Sequence, residues 1–256
     1  MEKQILNPAL MRKRKEKKTS LSVVTAYDYP FAKMAESAGI DMLLVGDSYA
    51  NVVLGYKSTR DIGMVEMLSA CGAVCRGATQ THVIADMPWL SDKTPAIAIK
   101  NALKFIEVGA SSVKVEGEKF EVIRSLIEQG IDVVGHLGLT PQTAKSFKQV
   151  GKLPEEAAAI IKNAQKLESI GICALVLEHV PEELGESVSK ALKIPVIGIG
   201  ASEKTDAQVL VLHDVLGLFA GDVPAVARKI VNGYEYLTQG LEEFHKRVRE
   251  KTLLSS

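Results

Sequence analysis

Short runs of apolar residues recur along this chain, and each ends in a polar or charged residue. The segment 42–45 (MLLV), for example, is followed at once by Gly46 and Asp47. Unbroken apolar runs of this length are typical of parallel strands that are buried on both faces. The pattern predicts a parallel sheet whose strands carry polar groups at their carboxyl ends. The residues placed in this way are Asp47, Asp86, Glu116, His136 and Glu178.

Segments of helical length separate these runs, and several of them end at a glycine, which favours helix termination. They predict helices over residues 31–38, 64–78, 94–108, 120–129, 154–170 and 182–192, and a long amphipathic helix over residues 223–249. Residues 1–20 form a charged, helical lead-in. Residues 49–61 have no helical period and predict a long loop. The seventh strand is expected over residues 195–202 and the eighth over 208–213, although residues 206–216 also suit a helix.

The β–α unit recurs seven or eight times without any repeat of sequence. This alternation predicts a single (β/α)8 barrel, and a doubly wound open sheet is the main alternative. A chain of 256 residues has the usual length for such a barrel, and it contains no tract of low complexity. We therefore expect one domain over residues 1–256, with the N-terminal lead-in and the long C-terminal helix attached to it.

Composition narrows the possible partners. The formal net charge is +0, so no global field favours nucleic acid or an anionic membrane. The basic run over residues 12–18 is interpreted as a solvated helix face. No apolar run reaches membrane-spanning length, and we expect a soluble, cytoplasmic protein. The three cysteines are too few for a disulfide framework, and Cys71 and Cys75 are interpreted as packing residues one helical turn apart.

Three carboxylates follow neighbouring predicted strands, namely Asp47, Asp86 and Glu116. Adjacent strands lie about 4.8 Å apart, so these acids can converge at the carboxyl end of a barrel. Bare carboxylates would repel one another, and a hard divalent cation such as Mg²⁺ or Mn²⁺ would resolve that repulsion. The alternative is that these acids cap helices or pair with lysines.

Three further residues have suitable positions for chemistry. Lys114 lies two residues before Glu116 and thus on the same side of its strand, where it could bind a substrate oxygen or pair with an acid. His136 could bind substrate or move a proton, or it could be a core histidine. Glu178 suits a general acid or base, and its alternatives are an outer metal ligand or a helix cap.

Eight motifs together resemble the ketopantoate hydroxymethyltransferase family, and they follow the family's order over most of the chain. Each would be weak alone, but the set is specific. The motifs are TAYDYP at 25–30, VGDS at 45–48, NVVLG at 51–55, ADMP at 85–88, VKVEG at 113–117, GHLGLTPQ at 135–142, LVLEHVP at 175–181 and IPVIGIGA at 194–201.

The resemblance implies a barrel of the phosphoenolpyruvate/pyruvate-binding superfamily and a Mg²⁺-dependent aldol-type reaction. In that reaction 5,10-methylenetetrahydrofolate gives a hydroxymethyl group to α-ketoisovalerate, and the product is ketopantoate for pantothenate and coenzyme A. Residue by residue, it implies that Asp47 and Asp86 bind the metal, with Glu116 in its shell. Ser48, Lys114 and His136 would contact the ketoacid together with the two aspartates, and Glu178 would be the acid or base. The family's members form large homo-oligomers, often decamers.

Two other functions are compatible with the same residues. One is a related Mg²⁺-dependent lyase or mutase of α-ketoacids, although Lys114 is followed by Val-Glu-Gly and not by the Cys-containing motif of the sister lyases. The other is a paralogue that binds a ketoacid without turnover. The segment 146–152 also departs from the family, because it lacks the usual pair of glycines.

Overall fold

Eight parallel strands close into a barrel, each paired with the next along the chain. The structure is a computed structural model that describes residues 5–144, 146–220 and 228–254. The closed order of strands confirms the predicted (β/α)8 barrel and excludes the open sheet. The strands are β1 Leu21–Thr25, β2 Met42–Val45, β3 His82–Asp86, β4 Ser112–Glu116, β5 Val133–Gly138, β6 Ala174–Glu178, β7 Val196–Ile199 and β8 Ala207–Leu210.

The helices begin where local sequence supplies caps. The side chains of Asn7, Asp28 and Thr94 each accept a hydrogen bond from the first turn of the helix that follows, and a proline stands at the start of each of these helices. The helices are α1 Pro8–Glu16, α2 Tyr29–Ser37, α3 Tyr49–Val52, α4 Met64–Gly77, α5 Pro95–Glu107, α6 Phe120–Glu128, α7 Pro154–Ile170, α8 Glu182–Ala191, α9 Leu212–Val215 and α10 Gly233–Glu250.

The predicted elements differ from the structure in four places. The strand predicted over residues 195–202 is limited to β7, Val196–Ile199. The predicted loop over residues 49–61 contains the short helix α3 and a 3-10 turn at Thr59–Asp61. The eighth strand begins one residue earlier than predicted and ends at Leu210, and the next residues turn into α9. The predicted helix over residues 223–249 is α10, which begins only at Gly233, and residues 223–227 lie outside the described residues.

Two hydrophobic cores result from the alternation of side chains along the strands. Met42 and Leu44 of β2 belong to a cluster that fills the barrel, whereas Leu43 and Val45 pack outwards against the helices. The inner cluster also contains Met11 of α1, which is fully buried. The predicted lead-in helix thus contributes directly to the interior of the barrel.

Lys15 corrects the interpretation of the basic run as a wholly solvated face. Its ammonium group donates to the carbonyl oxygens of Ser189 and Ile194, at 2.6 and 2.9 Å, and lies 2.8 Å from Oδ2 of Asp206. The Lys15 side chain is only 14% exposed. A lysine that donates to two carbonyls and a carboxylate has a structural role, because it links α1 to the segments that carry these acceptors. The charged residues around it in the sequence gave no sign of this role.

The chain divides into two compact units, residues 1–209 and residues 210–256. In the second unit, Leu216 and Gly217 accept hydrogen bonds from Gly233 and Tyr234 at the start of α10. None of the described residues of α10 is buried. Among the described helices none combines the length and the apolar character needed to cross a bilayer. The single-domain organisation stays a prediction.

Candidate active site

Strands β2 to β6 bring their polar residues to the carboxyl end of the barrel. Asp86, Glu116 and Glu178 are the last residues of β3, β4 and β6, and Asp47 follows β2 by two residues. The register pairs Asp86 with Lys114 and Glu116 with His136. Parallel strands therefore bring six of the predicted site residues to the same end of the barrel, as the sequence suggested.

Asp47, Asp86 and Lys114 are in direct contact. The backbone N–H of Asp47 donates to Oδ2 of Asp86 at 3.2 Å, and the ammonium group of Lys114 lies 2.9 Å from Oδ1 of Asp86. The side chains of Asp86 and Lys114 are 2% and 5% exposed. Because both charged groups of this ion pair are buried away from water, their protonation states depend mainly on the charges and hydrogen bonds of neighbouring residues.

His136 connects this pair to two glutamates. Its Nδ1 lies 3.2 Å from the ammonium group of Lys114 and 3.6 Å from Oε2 of Glu116, and its Nε2 lies 3.3 Å from Oε2 of Glu178. Because an ammonium group can only donate, Nδ1 accepts from Lys114 and the neutral ring carries its proton on Nε2. That proton therefore faces the carboxylate of Glu178.

Burial and the closeness of like charges raise the pKa values of two acids of the site. Burial raises the pKa of Asp86 to about 7, with the charge of Asp47 adding to the rise and Lys114 opposing it. Burial likewise raises the pKa of Glu116 to about 8, helped by Asp86 and Asp47. Burial alone would lower the pKa of Lys114, but the charges of Asp86 and Glu116 raise it instead. Burial and Lys114 lower the pKa of His136.

The donor set fits a hard divalent cation. Three buried carboxylates face one lysine, and oxygen ligands of this kind suit Mg²⁺. Within the described residues, Oδ1 of Asp86 is buried and accepts no well-formed hydrogen bond, despite its closeness to Lys114. No three His, Cys, Asp or Glu side chains of the described chain converge as a ligand group. Mg²⁺ usually takes one or two carboxylates and completes its shell with water and substrate oxygens.

Ser48 lies at the same end of the barrel, directly after Asp47. Its hydroxyl group is 2.8 Å from the hydroxyl of Tyr27, whose ring stacks on Tyr49 with 5.5 Å between centroids. The side chain of Tyr27 is almost fully buried. Tyr27 was not predicted as a site residue, although it belongs to the TAYDYP motif.

Gln142 is a second buried residue of the site that was not predicted. Its Nε2 donates to Oδ2 of Asp47 and to the carbonyl oxygen of Met87, both at 3.0 Å, and its backbone N–H donates to Oε1 of Glu116 at 2.8 Å. The signal that could have found it is its position at the end of the GHLGLTPQ motif, in the loop that follows β5, because barrel enzymes carry their functional residues in such loops.

A cavity of about 490 Å³ lies between the loops that follow β3 and β4. Its wall includes Trp89, whose ring carries the guanidinium of Arg60 at 4.9 Å. Lys119 also lines it and lies 2.7 Å from both carboxylate oxygens of Asp92. Trp89 and Lys119 each follow a site acid by three residues, so this cavity flanks the acidic centre.

Cys71 and Cys75 lie away from this end of the barrel, on α4. Their sulfur atoms are 3.9 Å apart, and Cys71 is fully buried in the outer core. This placement agrees with their interpretation as packing residues.

Solved structures share the barrel at low sequence identity. Phosphonopyruvate hydrolase in complex with oxalate and Mg²⁺ aligns with a TM-score of 0.64 and 12% identity, over 94% of this chain and 97% of the other. The 2,3-dimethylmalate lyase, a member of the PEP mutase/isocitrate lyase superfamily, aligns with a TM-score of 0.61 and 17% identity, over 95% and 98%. These likenesses give the fold, which is a barrel of this superfamily's type.

Sequence comparison identifies the family. The family model for ketopantoate hydroxymethyltransferase matches residues 6–253. The 3-methyl-2-oxobutanoate hydroxymethyltransferase of Thermotoga neapolitana is 45% identical over 93% of this chain and 90% of its own length. The enzyme of the same name from Thermus thermophilus is 43% identical over 93% of each chain. The chain therefore belongs to the ketopantoate hydroxymethyltransferase family of enzymes.

Proposed function

We propose that this enzyme transfers a hydroxymethyl group from 5,10-methylenetetrahydrofolate to α-ketoisovalerate (3-methyl-2-oxobutanoate) and so makes ketopantoate. The observation that carries the proposal is the buried contact of Asp86, Lys114 and His136 beside Asp47 and Glu116. Such a centre can bind a small acid and stabilise negative charge on it. The names of the Thermotoga and Thermus relatives support the same reaction.

Asp47 and Asp86 are the residues we propose to bind Mg²⁺ directly, with Glu116 in its shell. Mn²⁺ or another divalent ion could take the same oxygen donors. When bound, the cation would supply positive charge for the ketoacid oxygens on which negative charge develops. The Mg²⁺ and oxalate of the phosphonopyruvate hydrolase complex support a site of this kind on this fold.

Lys114 and Ser48 are the residues we propose to bind the ketoacid. The ammonium group of Lys114 is buried and held between Asp86 and His136, so it can donate to a ketoacid oxygen without prior reorganisation. The hydroxyl of Ser48, fixed by Tyr27, can donate to a carboxylate oxygen. His136 would lie against the same ligand.

Glu178 is the residue we propose as acid and base. Its side chain is 21% exposed, more than the other acids near it, and its Oε2 lies 3.3 Å from Nε2 of His136. A base there would accept the proton from C3 of the ketoacid, and the electron pair of the C–H bond would form the new bond to the one-carbon unit. Both C–N bonds to the methylene carbon break. Water supplies the hydroxyl oxygen of the transferred group, and the folate nitrogens take up one proton from that water and the C3 proton, passed on by Glu178, as tetrahydrofolate leaves.

The cavity beside the centre is where we propose that the folate docks. Its walls include the side chains of Trp89, Leu90 and Phe120, which suit a flat heterocycle, and Lys93 at the rim suits a negatively charged tail. Its volume of about 490 Å³ falls within the usual range for small-molecule sites.

Self-association and a cytoplasmic location complete the proposal. Tyr234, Leu237, Leu241, Phe244 and Val248 form an apolar stripe on α10 with spacings of three and four residues, and all five are exposed. A stripe of this kind suits another copy of the same helix, as in the homo-oligomers that the family resemblance implies. The three cysteines are free thiols, which suits a reducing compartment.

The test is proton NMR of α-ketoisovalerate in D₂O with enzyme and Mg²⁺, with and without 5,10-methylenetetrahydrofolate. We expect ketopantoate only when the folate is present, and exchange of the C3 proton for deuterium without it. C3 exchange without ketopantoate in the presence of the folate would mean that the enzyme uses a different one-carbon donor. If neither C3 exchange nor ketopantoate is observed, the proposed reaction is refuted.

A further inference from the structure

The three carboxylates of the centre share one pattern of hydrogen bonding. One oxygen of each accepts an N–H group: Oδ2 of Asp86 from the backbone of Asp47, Oδ2 of Asp47 from Nε2 of Gln142, and Oε1 of Glu116 from the backbone of Gln142. Gln142 thus supplies two of these three donors. A carboxylate held through one oxygen has its plane fixed, and its other oxygen then has a defined direction.

The local sequence fixes Gln142 where it can do this. Gly138 at the end of β5 has a φ of +90°, and a Cβ at that position would overlap the carbonyl oxygen of Glu178. Glycine therefore lets the chain turn back over the barrel mouth, where Leu139 donates to the Glu178 carbonyl at 2.8 Å. The N–H groups of Thr143 and Ala144 then donate to the Thr140 carbonyl, which closes a turn around Gln142.

The orientation of the Gln142 amide follows from its neighbours. Both groups within 3.0 Å of Nε2, the Asp47 carboxylate and the Met87 carbonyl, are acceptors, so the NH₂ group must face them. Within the described residues, Oε1 of Gln142 is then a buried acceptor with no partner. A buried amide oxygen of this kind is usually satisfied by an ordered water, as a hydrated cation beside Asp47 would bring.

We propose that Gln142 is a positioning residue for the divalent cation, which it serves by holding Asp47 and Glu116 in their ligating orientations. The inference rests on the cation site of the proposed function but assigns a role to a residue outside the ligand set. Loss of such an outer hydrogen bond typically weakens metal affinity by roughly 10- to 100-fold. A residue that only stabilised the loop would not change cation affinity in this way.

The experiment compares Gln142→Met with Thr143→Val. Methionine has nearly the length of glutamine but no donor. Valine removes the hydroxyl of Thr143, which lies 2.8 Å from the Thr140 hydroxyl and 3.4 Å from the Thr140 carbonyl oxygen. Both changes disturb the same turn, and only the first removes the bond to Asp47. The full-length protein is titrated with Mn²⁺, and free Mn²⁺ is measured by electron paramagnetic resonance without ketoacid or folate.

We expect Gln142→Met to weaken Mn²⁺ binding by about 10- to 100-fold and Thr143→Val to bind like the parent. In turnover, the Mn²⁺ concentration for half-maximal rate should rise in Gln142→Met, with kcat largely restored at saturating Mn²⁺. Should Gln142→Met not fold, Gln142→Asn, whose shorter amide cannot reach both acceptors, should give the same loss.

Unchanged Mn²⁺ affinity in a folded Gln142 variant, or an equal loss in Thr143→Val, would overturn the positioning role while leaving the proposed function intact. A parent protein that binds no Mn²⁺ would overturn the cation site itself, and the positioning role with it.

Discussion

Asp47 and Asp86 lie at the ends of neighbouring strands but have different surroundings. The carboxylate of Asp86 is paired with Lys114, whereas the carboxylate of Asp47 accepts a hydrogen bond from the side-chain amide of Gln142. The two acids are joined by a hydrogen bond from the backbone N–H of Asp47 to Asp86. The two side chains are thus held separately, and each can be changed without removing the support of the other.

Asp47→Asn and Asp86→Asn should each abolish activity and the thermal stabilisation by Mg²⁺, because both acids are proposed to hold one ion. At a Mg²⁺ concentration about 100 times the Kd, the parent should gain roughly 2.7 kcal/mol of stability, and the variants should gain none. Differential scanning fluorimetry with and without Mg²⁺ measures this. Asp41→Asn is the control, since Asp41 binds Ser22 just before β2, at the opposite end of that strand. Full Mg²⁺-dependent activity in either variant would remove the metal assignment.

Glu178→Gln should retain ketoacid binding but lose turnover by roughly 100- to 10,000-fold, because an amide cannot accept the C3 proton. Deuterium exchange at C3 and a ketoacid titration measure the two properties separately. Glu183→Gln, an exposed residue of α8, is the matched control. A variant with a near-native rate would rule out Glu178 as the base.

His82 should make folding stability depend on pH. Its Nδ1 is 2.7 Å from the Leu6 carbonyl and its Nε2 is 2.8 Å from the Ser112 hydroxyl, and burial lowers its pKa to about 4. In the unfolded chain the pKa of His82 is about 6.5. Because the unfolded state takes up the proton first, the folded state is favoured fully above pH 6.5 and loses about 3 kcal/mol of stability as the pH falls towards 4. Urea unfolding of the parent and His82→Gln at pH 7.5 and 4.5 measures it. The difference in stability between the two proteins should shrink at low pH, and a constant difference would contradict the argument.

At the scale of elements, the sequence predicted most strands and helices because each carries its own signal. Apolar runs that end in an acid marked β2, β3, β4 and β6, and glycines marked the ends of helices such as α7. The eighth strand was placed imperfectly because Val209, Leu210 and Val211 are compatible with either a buried strand or a helix. Helix α3 was missed because a single turn is too short to show a period.

Gly77→Ala should destabilise the barrel by about 1–3 kcal/mol, because a methyl group there would overlap the Tyr29 carbonyl and press on Ala32 where α2 packs against α4. Gly240→Ala is the control: it lies in α10 with open space around it, and alanine should favour the helix by about 0.5–1 kcal/mol. Urea midpoints measure both changes. Equal stability of Gly77→Ala and the parent would show that the helix pair can separate to admit a methyl group.

At the scale of the whole molecule, the sequence located the strand-end acids but not the largely buried polar residues that bind backbone carbonyls. Asp47, Asp86, Lys114, Glu116 and His136 could be grouped because neighbouring strands must bring them together. Gln142 and Lys15 act through loops or across distant segments, with partners such as Met87 or Ile194 that carry no chemical signal. Contacts to backbone carbonyls depend on the folded path of the chain, which spacing in the sequence does not encode.

Leu241→Glu should reduce self-association, because it places a charge in the middle of the exposed apolar stripe of α10. Size-exclusion chromatography with light scattering should show a smaller mass for this variant than for the parent. Gln239→Glu adds the same charge on another face of the helix and should keep the parent's mass. An unchanged mass for Leu241→Glu would exclude the stripe as the contact.

Substitutions in the inner core and in the outer core of the barrel have different consequences for the candidate site. Ile84 and Val134 of the inner core lie two residues before Asp86 and His136, and so on the same side of their strands as these candidate site residues. Neighbours such as Val83 and Val133 belong to the outer core. A change of side-chain size in the outer core can therefore alter stability alone, whereas the same change one residue along would also alter the floor of the proposed substrate site.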